Sequence, residues 1–170
     1  MRVLVTAASR HGATSDIASA IAEGLAAAGI EATVASPETV DSLVGYSAVV
    51  LGSGVYAGHW LAAAKDFVER NAGGLNVRPV WLFSSGPLGD PLKPDVEPVD
   101  AAPILARVAG RSHRVFGGRL DRGQLRFGER AMVAVVRAPD GDYRPWNEIH
   151  DWSAEIAHEL LSVSWKAEVC

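Results

Sequence analysis

The sequence predicts an α/β fold in which a parallel β-sheet is covered by helices on both faces. Five short runs of apolar, often β-branched residues have the length and composition of buried strands. Amphipathic segments, in which apolar residues recur every three or four positions, lie between these runs. Strands and helices that alternate in this way are typical of a parallel sheet joined by crossover helices.

The first half of the chain predicts three strands and two helices. Ile17, Ile21 and Leu25 recur at four-residue spacing and predict the inner face of the first helix. Gly29 follows as a left-handed C-terminal stop. The predicted strands are residues 2–7, 31–35 and 48–51, and a second helix that ends near residues 71–74 carries Trp60, Ala64, Phe67 and Val68 on its inner face.

The second half predicts two further strands, two further helices and a long loop. Pro79 begins a strand over 79–83, where a missing backbone N–H is tolerated. Four prolines between positions 91 and 103 predict a loop over 90–102, and Pro103 opens a short helix over 104–109. A strand at 115–116 and a helix from about Pro145 complete the pattern, the helix with an apolar stripe of Ile149, Trp152, Ile156 and Leu160.

Residues 127–137 fit two structures. The β-branched content of residues 130–137 is compatible with an edge strand. A helix over 127–137 would instead place Met132, Val133 and Val136 on one side, and we favour the helix.

Size, charge and cysteine content narrow the class of protein. A chain of 170 residues predicts one domain, over 1–170, and its 48% hydrophobic and 21% charged residues are ordinary for a globular protein. The net charge of −4 argues against nucleic-acid binding. Cys170 is the single cysteine, so we expect no internal disulfide and a reducing, cytoplasmic location. His150 and His158 lie eight positions apart without a third ligand, so we expect no metal site.

We also expect no membrane-spanning segment. Residues 42–64 carry no charged residue, but four glycines and three serines interrupt them. They lack the continuous apolarity of the ~20 residues that cross a bilayer. Peripheral contact with a membrane surface remains compatible with the sequence.

Three loops are expected to form a ligand site. They are residues 9–14, 52–60 and 84–90, which follow the first, third and fourth predicted strands. In open parallel sheets, ligands bind beyond the carboxyl ends of the strands, where the strand order reverses. All three loops are rich in glycine and small hydroxylated residues, which let the backbone approach a ligand and present N–H groups to it.

The first loop predicts an anion site because it leads directly into a helix N-terminus, where amides and the helix dipole attract phosphate. The alternative is an ordinary strand–helix turn in which Thr14 caps the helix. A P-loop motif is absent from the sequence, this turn lacks the dinucleotide fingerprint, and it contains no phosphatase-type cysteine. A site that holds a phosphorylated cofactor without hydrolysing it is therefore favoured, formed by Ser9, Arg10, His11, Gly12, Ala13 and Thr14.

The second and third loops predict a cover for a flat ring. Tyr56 and Trp60 lie among glycines and can stack on a planar heterocycle. Trp60 is equally well explained as the first core residue of the following helix. The second loop contributes Gly54, Val55, Tyr56, Gly58 and Trp60, and the third contributes Ser84, Ser85 and Gly86, whose main chain would meet the polar edge of the ring.

These loops resemble those of flavodoxin-fold proteins, and most of all the group that includes menaquinone-dependent protoporphyrinogen oxidase. Four motifs carry the resemblance in order: Ser-Arg-His-Gly-Ala-Thr, Val-Leu-Gly-Ser-Gly-Val-Tyr-Ala-Gly, Leu-Phe-Ser-Ser-Gly-Pro-Leu-Gly-Asp and Gly-Asp-Tyr-Arg-Pro-Trp. The resemblance implies a doubly wound, five-stranded sheet of order 2-1-3-4-5 in three α/β/α layers. It also implies FMN, with its phosphate on the first loop and its isoalloxazine between the other two. His11 and Ala13 depart from the usual hydroxyl and amide side chains of flavodoxins.

Arginine is concentrated in one part of the chain. Residues 101–145 carry nine arginines and four acidic residues, a net charge of +5. Much of this region, about 118–145, lies where flavodoxin-type proteins accept insertions. Our hypothesis is that residues 119–137 dock an anionic partner, such as the propionates of a porphyrinogen or an anionic membrane surface. The alternative is a solvated helix face paired with acidic residues.

The favoured function is that of an FMN-binding redox protein. The resemblance implies a protoporphyrinogen oxidase-like oxidoreductase of heme biosynthesis that passes electrons to a quinone or to a redox partner protein. One alternative is an electron shuttle without a substrate of its own. Another is an interaction module that keeps the fold without the cofactor.

Overall fold

The computed structural model describes residues 1–89, 91, 95–121, 123 and 139–168. Within them the strands are β1 (Arg2–Ala8), β2 (Glu31–Ala35), β3 (Ala48–Tyr56), β4 (His59–Trp60), β5 (Val80–Ser85), β6 (Ser112–Phe116), β7 (Arg119–Leu120) and β8 (Gly141–Asp142). The helices are α1 (Ala13–Ala27), α2 (Ala62–Leu75), α3 (Ala101–Arg107) and α4 (Trp146–Glu168), with a 3₁₀ turn at Pro37–Thr39.

The five longer strands form a parallel sheet in the order β2-β1-β3-β5-β6. Numbered among themselves along the chain, these strands have the order 2-1-3-4-5, which confirms the predicted topology. Val5 of β1 pairs with Val34 of β2 on one side and with Val50 of β3 on the other. The strand order therefore reverses at β1, and sheets of this topology bind ligands beyond the carboxyl ends of the strands at such a point, here β1 and β3.

Helices cover both faces of the sheet, as the continuous apolar strands predicted. On one face, Val3 and Val5 belong to a buried cluster with the inner residues of α1 and α4. On the other face, Leu4 and Ala8 belong to a buried cluster with those of α2 and α3. The predicted helix stripes are confirmed as buried at Ile17, Ile21, Leu25, Ala64, Phe67, Val68, Ile149, Trp152, Ile156 and Leu160.

The structure differs from the predicted elements mainly beyond residue 51. β3 continues to Tyr56 because Ser53 and Gly54 pair in register with Ser84 and Ser85 of β5, so the hydrogen-bonded ladder extends past the apolar run. Trp60 lies in the short strand β4, and α2 begins only at Ala62.

Further boundaries differ. β5 spans Val80–Ser85, so Pro79 precedes the strand that it was predicted to begin. α3 begins at Ala101, so Pro103 lies inside its first turn, where proline is tolerated. β6 spans Ser112–Phe116 and is longer than predicted. Residues 127–137, for which a helix was favoured, lie outside the described residues.

An alanine at Gly24 is expected to push α1 away from α4. A Cβ built at Gly24 would lie 1.9 Å from Oγ and 2.8 Å from Cβ of Ser153, and Ser153 is buried. We expect Gly24→Ala to lower the free energy of unfolding by about 1–3 kcal/mol, as overpacked cores do, measured by urea denaturation.

Gly73→Ala is the matched control. Gly73 also lies within a helix, but a Cβ built there meets nothing within 4 Å. Alanine should therefore raise stability by up to about 1 kcal/mol through its higher helix propensity. A Gly24→Ala protein as stable as the wild type would contradict the close contact between the helices.

Candidate functional site

The first loop passes from β1 into the N-terminus of α1 through a left-handed residue. Gly12 is the N-cap of α1 with φ +82°, a conformation that favours glycine. Its carbonyl accepts a hydrogen bond from the amide of Asp16 at 2.9 Å, which closes the first turn. Thr14 lies within the helix and is buried, so it does not cap the helix as the alternative interpretation required. The amides of Gly12, Ala13 and Thr14 are thus at the positive end of a 15-residue helix.

The second loop is a tight β-hairpin. Tyr56 pairs with His59, and Val55 with Trp60, across a two-residue turn. The turn residues Ala57 and Gly58 both have positive φ, +51° and +79°. Two consecutive left-handed residues match the twist of antiparallel strands, which is why this turn joins them directly. The hairpin presents the half-buried Tyr56 at the carboxyl edge of the sheet.

Asp100 braces this hairpin from a distant part of the chain. Its Oδ2 accepts a hydrogen bond from the amide of Trp60 at 2.7 Å and lies 3.1 Å from Nδ1 of His59. The amide of Val99 donates to the carbonyl of Gly58 at 2.9 Å. Sequence reasoning did not single out Asp100, because a residue at the end of a proline-rich loop carries no local signal of a partner 40 positions earlier.

Close backbone contacts join the three loops. A Cβ at Gly54 would lie 3.2 Å from Oγ1 of Thr14, so the second loop lies against the first. A Cβ at Gly86 would lie 3.0 Å from Cβ of Val55, so the third loop lies against the second. The structure therefore brings the predicted residues of all three loops to one edge of the sheet.

A cation–π contact also links the first two loops. The Arg10 guanidinium lies over the Tyr56 ring, 4.5 Å from its centroid. A residue predicted to bind phosphate and a residue predicted to cover a ring are thus direct neighbours.

Trp60 and Ser84 have their side chains in the interior. Trp60 is 2% exposed and packs with the core residues of α2. Its Nε1 donates to Oγ of Ser84 at 2.7 Å, and the same oxygen lies 2.8 Å from Nε2 of His113. This placement agrees with the alternative in which Trp60 is a core residue, and the ring-covering role then depends on Tyr56. Oγ of Ser85 donates inward to the carbonyl of Gly117, so the third loop offers its main chain to a ligand.

His113 is buried beside this network. Its side chain is 5% exposed, and Nδ1 lies 3.5 Å from Oε1 of Glu97, beyond the usual hydrogen-bond distance. Burial lowers the pKa of His113, because a cation is poorly solvated there, and Glu97 only partly opposes the effect. His113 therefore favours the neutral form that completes the contact with Ser84.

The free energy of unfolding is expected to decrease as the pH falls below about 6.5, the ordinary pKa of histidine. Because the pKa of His113 is lowered in the folded state, the unfolded chain takes up this proton at a higher pH. The contribution of His113 to the free energy of unfolding is complete above the pKa that the histidine has in the unfolded chain. It is lost as the pH falls toward the lower pKa of the folded protein. Urea denaturation at a series of pH values measures the effect.

His113→Gln should flatten this dependence, since the side chain can still bond to Ser84 but does not titrate. His158→Gln, at an exposed position of α4, is the matched control and should leave the slope unchanged. An equally steep slope in His113→Gln would contradict the assignment.

Two arginines from residues 118–145, here called the Arg-rich region, contact the first loop and the start of α1. The Arg144 side chain is 4% exposed, and its Nη1 donates to Oδ2 of Asp16 at 2.8 Å and to the Ala13 carbonyl at 3.2 Å. Arg119 Nη2 donates to the His11 carbonyl at 3.3 Å, and its Nη1 lies 3.5 Å from Oδ2 of Asp16.

Arg144 is held in place by Asp142. Nε and Nη2 of Arg144 donate to the two carboxylate oxygens of Asp142, each at 2.7 Å. These bonds lower the pKa of Asp142 and raise that of Arg144. The guanidinium also lies over the Trp146 ring, 4.4 Å from its centroid. The Gly-Asp-Tyr-Arg-Pro-Trp motif is thus the segment that fastens the end of the Arg-rich region to α1.

Three other arginines between residues 101 and 118 form ion pairs at the surface. Arg107, Arg111 and Arg114 are about half exposed, and they pair with Glu69, Glu159 and Glu155, respectively. Most of the predicted docking segment, including Arg122, Arg126, Arg130 and Arg137, lies outside the described residues.

The described residues contain neither a metal-binding cluster nor a membrane-spanning helix. In these parts of the chain, no three His, Cys, Asp or Glu side chains are grouped closely enough to hold a metal ion. No helix among the same residues combines the length and apolarity needed to cross a bilayer.

Comparison with known proteins places the chain in a family. The model of the flavodoxin domain matches residues 4–145. The chain belongs to the flavodoxin domain family. It is 27% identical to the protoporphyrinogen IX dehydrogenase [quinone] of Escherichia coli K12 over 175 aligned positions, which cover 93% of this chain and 96% of the relative.

Solved structures agree on the fold. A flavodoxin from the domain Archaea superposes with a TM-score of 0.65 at 18% identity, covering 94% of this chain and 98% of that one. The rubredoxin oxygen:oxidoreductase of Desulfovibrio gigas superposes with a TM-score of 0.67 at 13% identity, covering 95% of this chain and 36% of that one. Family membership and fold together support a flavin-binding redox function.

Proposed function

We propose that this chain binds FMN and uses it as a protoporphyrinogen oxidase-like oxidoreductase with a quinone as electron acceptor. The contact between Arg10 and Tyr56 is the observation that carries the proposal, because it joins the phosphate-binding and ring-covering loops at one edge of the sheet. The similarity to a protoporphyrinogen IX dehydrogenase [quinone] over most of both chains supports the substrate and the acceptor.

The residues of the first loop fit a phosphate ester. Gly12 provides a left-handed N-cap without a side chain, and a Cβ built there meets nothing within 4 Å, so the space beside it is open. The amides that open α1, the hydroxyls of Ser9 and Thr14, and the guanidinium of Arg10 are all donors. This donor set would hold the phosphate without the hydroxyl and amide side chains that flavodoxins usually carry at positions 11 and 13.

The other two loops would hold the ring. Tyr56 would stack on one face, and the backbone of Ser85 and Gly86 would bond to the polar edge. When bound, FMN supplies the group that accepts and donates electrons, whereas the protein positions it and excludes water. Asp100 contributes by holding the hairpin that carries Tyr56.

The Arg-rich region would give the substrate a contact surface. β7 and β8 pair with each other, and the amide of Tyr143 donates to the carbonyl of Gly118 at 2.9 Å. Gly118 in turn lies against Gly86 of the third loop. Both described ends of the Arg-rich region are therefore at the rim of the site, where its arginines would bind propionates.

We also propose a single domain and a cytoplasmic location, where peripheral contact with a membrane would give access to quinone.

Binding of FMN is the first test. Titrating FMN into the purified, flavin-free protein should quench the flavin fluorescence with saturation at one equivalent. Absence of binding would overturn the proposal and leave the cofactor-free interaction module.

Turnover separates the enzyme from an electron shuttle. The FMN-loaded protein should oxidise protoporphyrinogen in the presence of menaquinone, followed by the fluorescence of the porphyrin product. Reduction by a flavodoxin reductase without any porphyrinogen oxidation would instead identify a shuttle.

Gly12→Ala is expected to weaken FMN binding by roughly tenfold, which corresponds to about 1.4 kcal/mol. An L-residue is strained at φ +82°, so the loop should shift and displace the amides that open α1. Equilibrium titration with FMN measures the effect.

Gly45→Ala is the matched control for this variant. Gly45 has φ +85° and equally open surroundings, but it lies before β3, at the opposite edge of the sheet. Both variants should lose similar stability, and only Gly12→Ala should lose FMN affinity. Equal FMN affinity in the two variants would argue against phosphate binding at Gly12.

A further inference from the structure

We propose that Arg119 and Arg144 are positioning residues for the first loop. They orient its amides toward the phosphate through two backbone carbonyls, and they neutralise Asp16 beside it. This inference rests on the proposed FMN function and explains how the loop would come to prefer a phosphate ester over the same ring without one.

The orientation argument follows from peptide geometry. In a trans peptide, the carbonyl of one residue and the N–H of the next point in opposite directions. The His11 carbonyl receives Arg119 Nη2 at 3.3 Å, so the N–H of Gly12 points away from Arg119. The Ala13 carbonyl receives Arg144 Nη1 at 3.2 Å, so the N–H of Thr14 points away from Arg144.

Both arginines lie on the same side of the loop. Arg119 Nη1 and Arg144 Nη1 contact one and the same oxygen, Oδ2 of Asp16, at 3.5 and 2.8 Å. The two amides therefore face the opposite side together, as binding of one anion requires.

Charge neutralisation is the second effect. Asp16 lies in the first turn of α1, where an unpaired carboxylate would repel a phosphate dianion. Arg119 and Arg144 bring two positive charges to the two carboxylates of Asp16 and Asp142, so the four side chains sum to zero. Loss of either arginine would leave the other three of these side chains with a net charge of −1.

The geometry of Arg144 requires arginine rather than lysine. Its three side-chain nitrogens are all engaged, Nε and Nη2 with Asp142 and Nη1 with Asp16 and the Ala13 carbonyl. A lysine ammonium has a single nitrogen and cannot form the paired bonds with Asp142.

Each variant is tested by comparing its affinity for FMN with its affinity for riboflavin, which lacks the phosphate. A positioning role predicts a loss of affinity for FMN alone, whereas a merely structural role predicts a loss for both. Arg119→Gln is the first variant, because its side chain is 34% exposed and the fold should tolerate the change. We expect its FMN dissociation constant to rise about five- to tenfold, while its riboflavin affinity stays at the wild-type value. Arg144→Lys should show the same selective loss.

Arg114→Gln is the matched control and should leave both affinities unchanged, since Arg114 is an exposed arginine of β6 that pairs with Glu155. Equal losses of FMN and riboflavin affinity in Arg119→Gln, or no loss of either, would overturn the positioning role. If Arg144→Lys fails to fold, Arg119→Gln decides the question alone. A wild-type protein that binds no FMN would overturn the proposed function itself, so the two failures are distinguishable.

Discussion

The close approach of three backbone segments at the carboxyl ends of β1, β3 and β5 is the constraint on which the site depends. Neighbouring strands of a sheet lie only about 4.8 Å apart, so loops that leave them side by side compete for the same space. Glycine allows two of these close approaches. A Cβ at Gly54 would lie 3.2 Å from Thr14, and a Cβ at Gly86 would lie 3.0 Å from Val55. Packing of the loops against one another therefore requires small residues, whether or not a ligand is bound.

The hairpin that carries Tyr56 shows how this constraint is maintained. Ala57 adopts φ +51°, a left-handed conformation that costs a residue with a side chain about 1 kcal/mol or more. The strain is offset by groups on both sides, because Asp100 bonds to the amide of Trp60 and Ser84 accepts from its ring. Trp60 thus contributes to the site as an anchor inside the core, and Tyr56 alone of the two aromatics is at the edge.

The sequence was informative where local physics decides the structure. Apolar periodicity located the strands and helix faces, because a buried face must repeat with the period of its element. The hairpin was missed because Ala57-Gly58 is not one of the usual turn pairs and the strand ladder continues through polar residues such as Ser53.

Long-range partners were beyond the sequence for a different reason. Asp100, His113 and Asp16 act on residues 29 to 128 positions away, and only the topology of the sheet brings them together. The loops of the site could be predicted because all of them follow strands. The groups that hold those loops in place could not be predicted, because the residues next to them in sequence give no information about their contacts in the fold.

The arginines divide into two sets with different roles. Each arginine described between residues 101 and 145 has an acidic partner within 4 Å, so its field is largely cancelled. By composition, residues 122–138 hold four arginines and one glutamate, a net charge of +3. The chain between β7 and β8 therefore combines a high positive charge by composition with flanking strands that pair with each other beside the third loop. Under the proposed function, the arginines that flank this segment would hold the first loop in position, and the segment itself would carry the charge that a porphyrinogen meets.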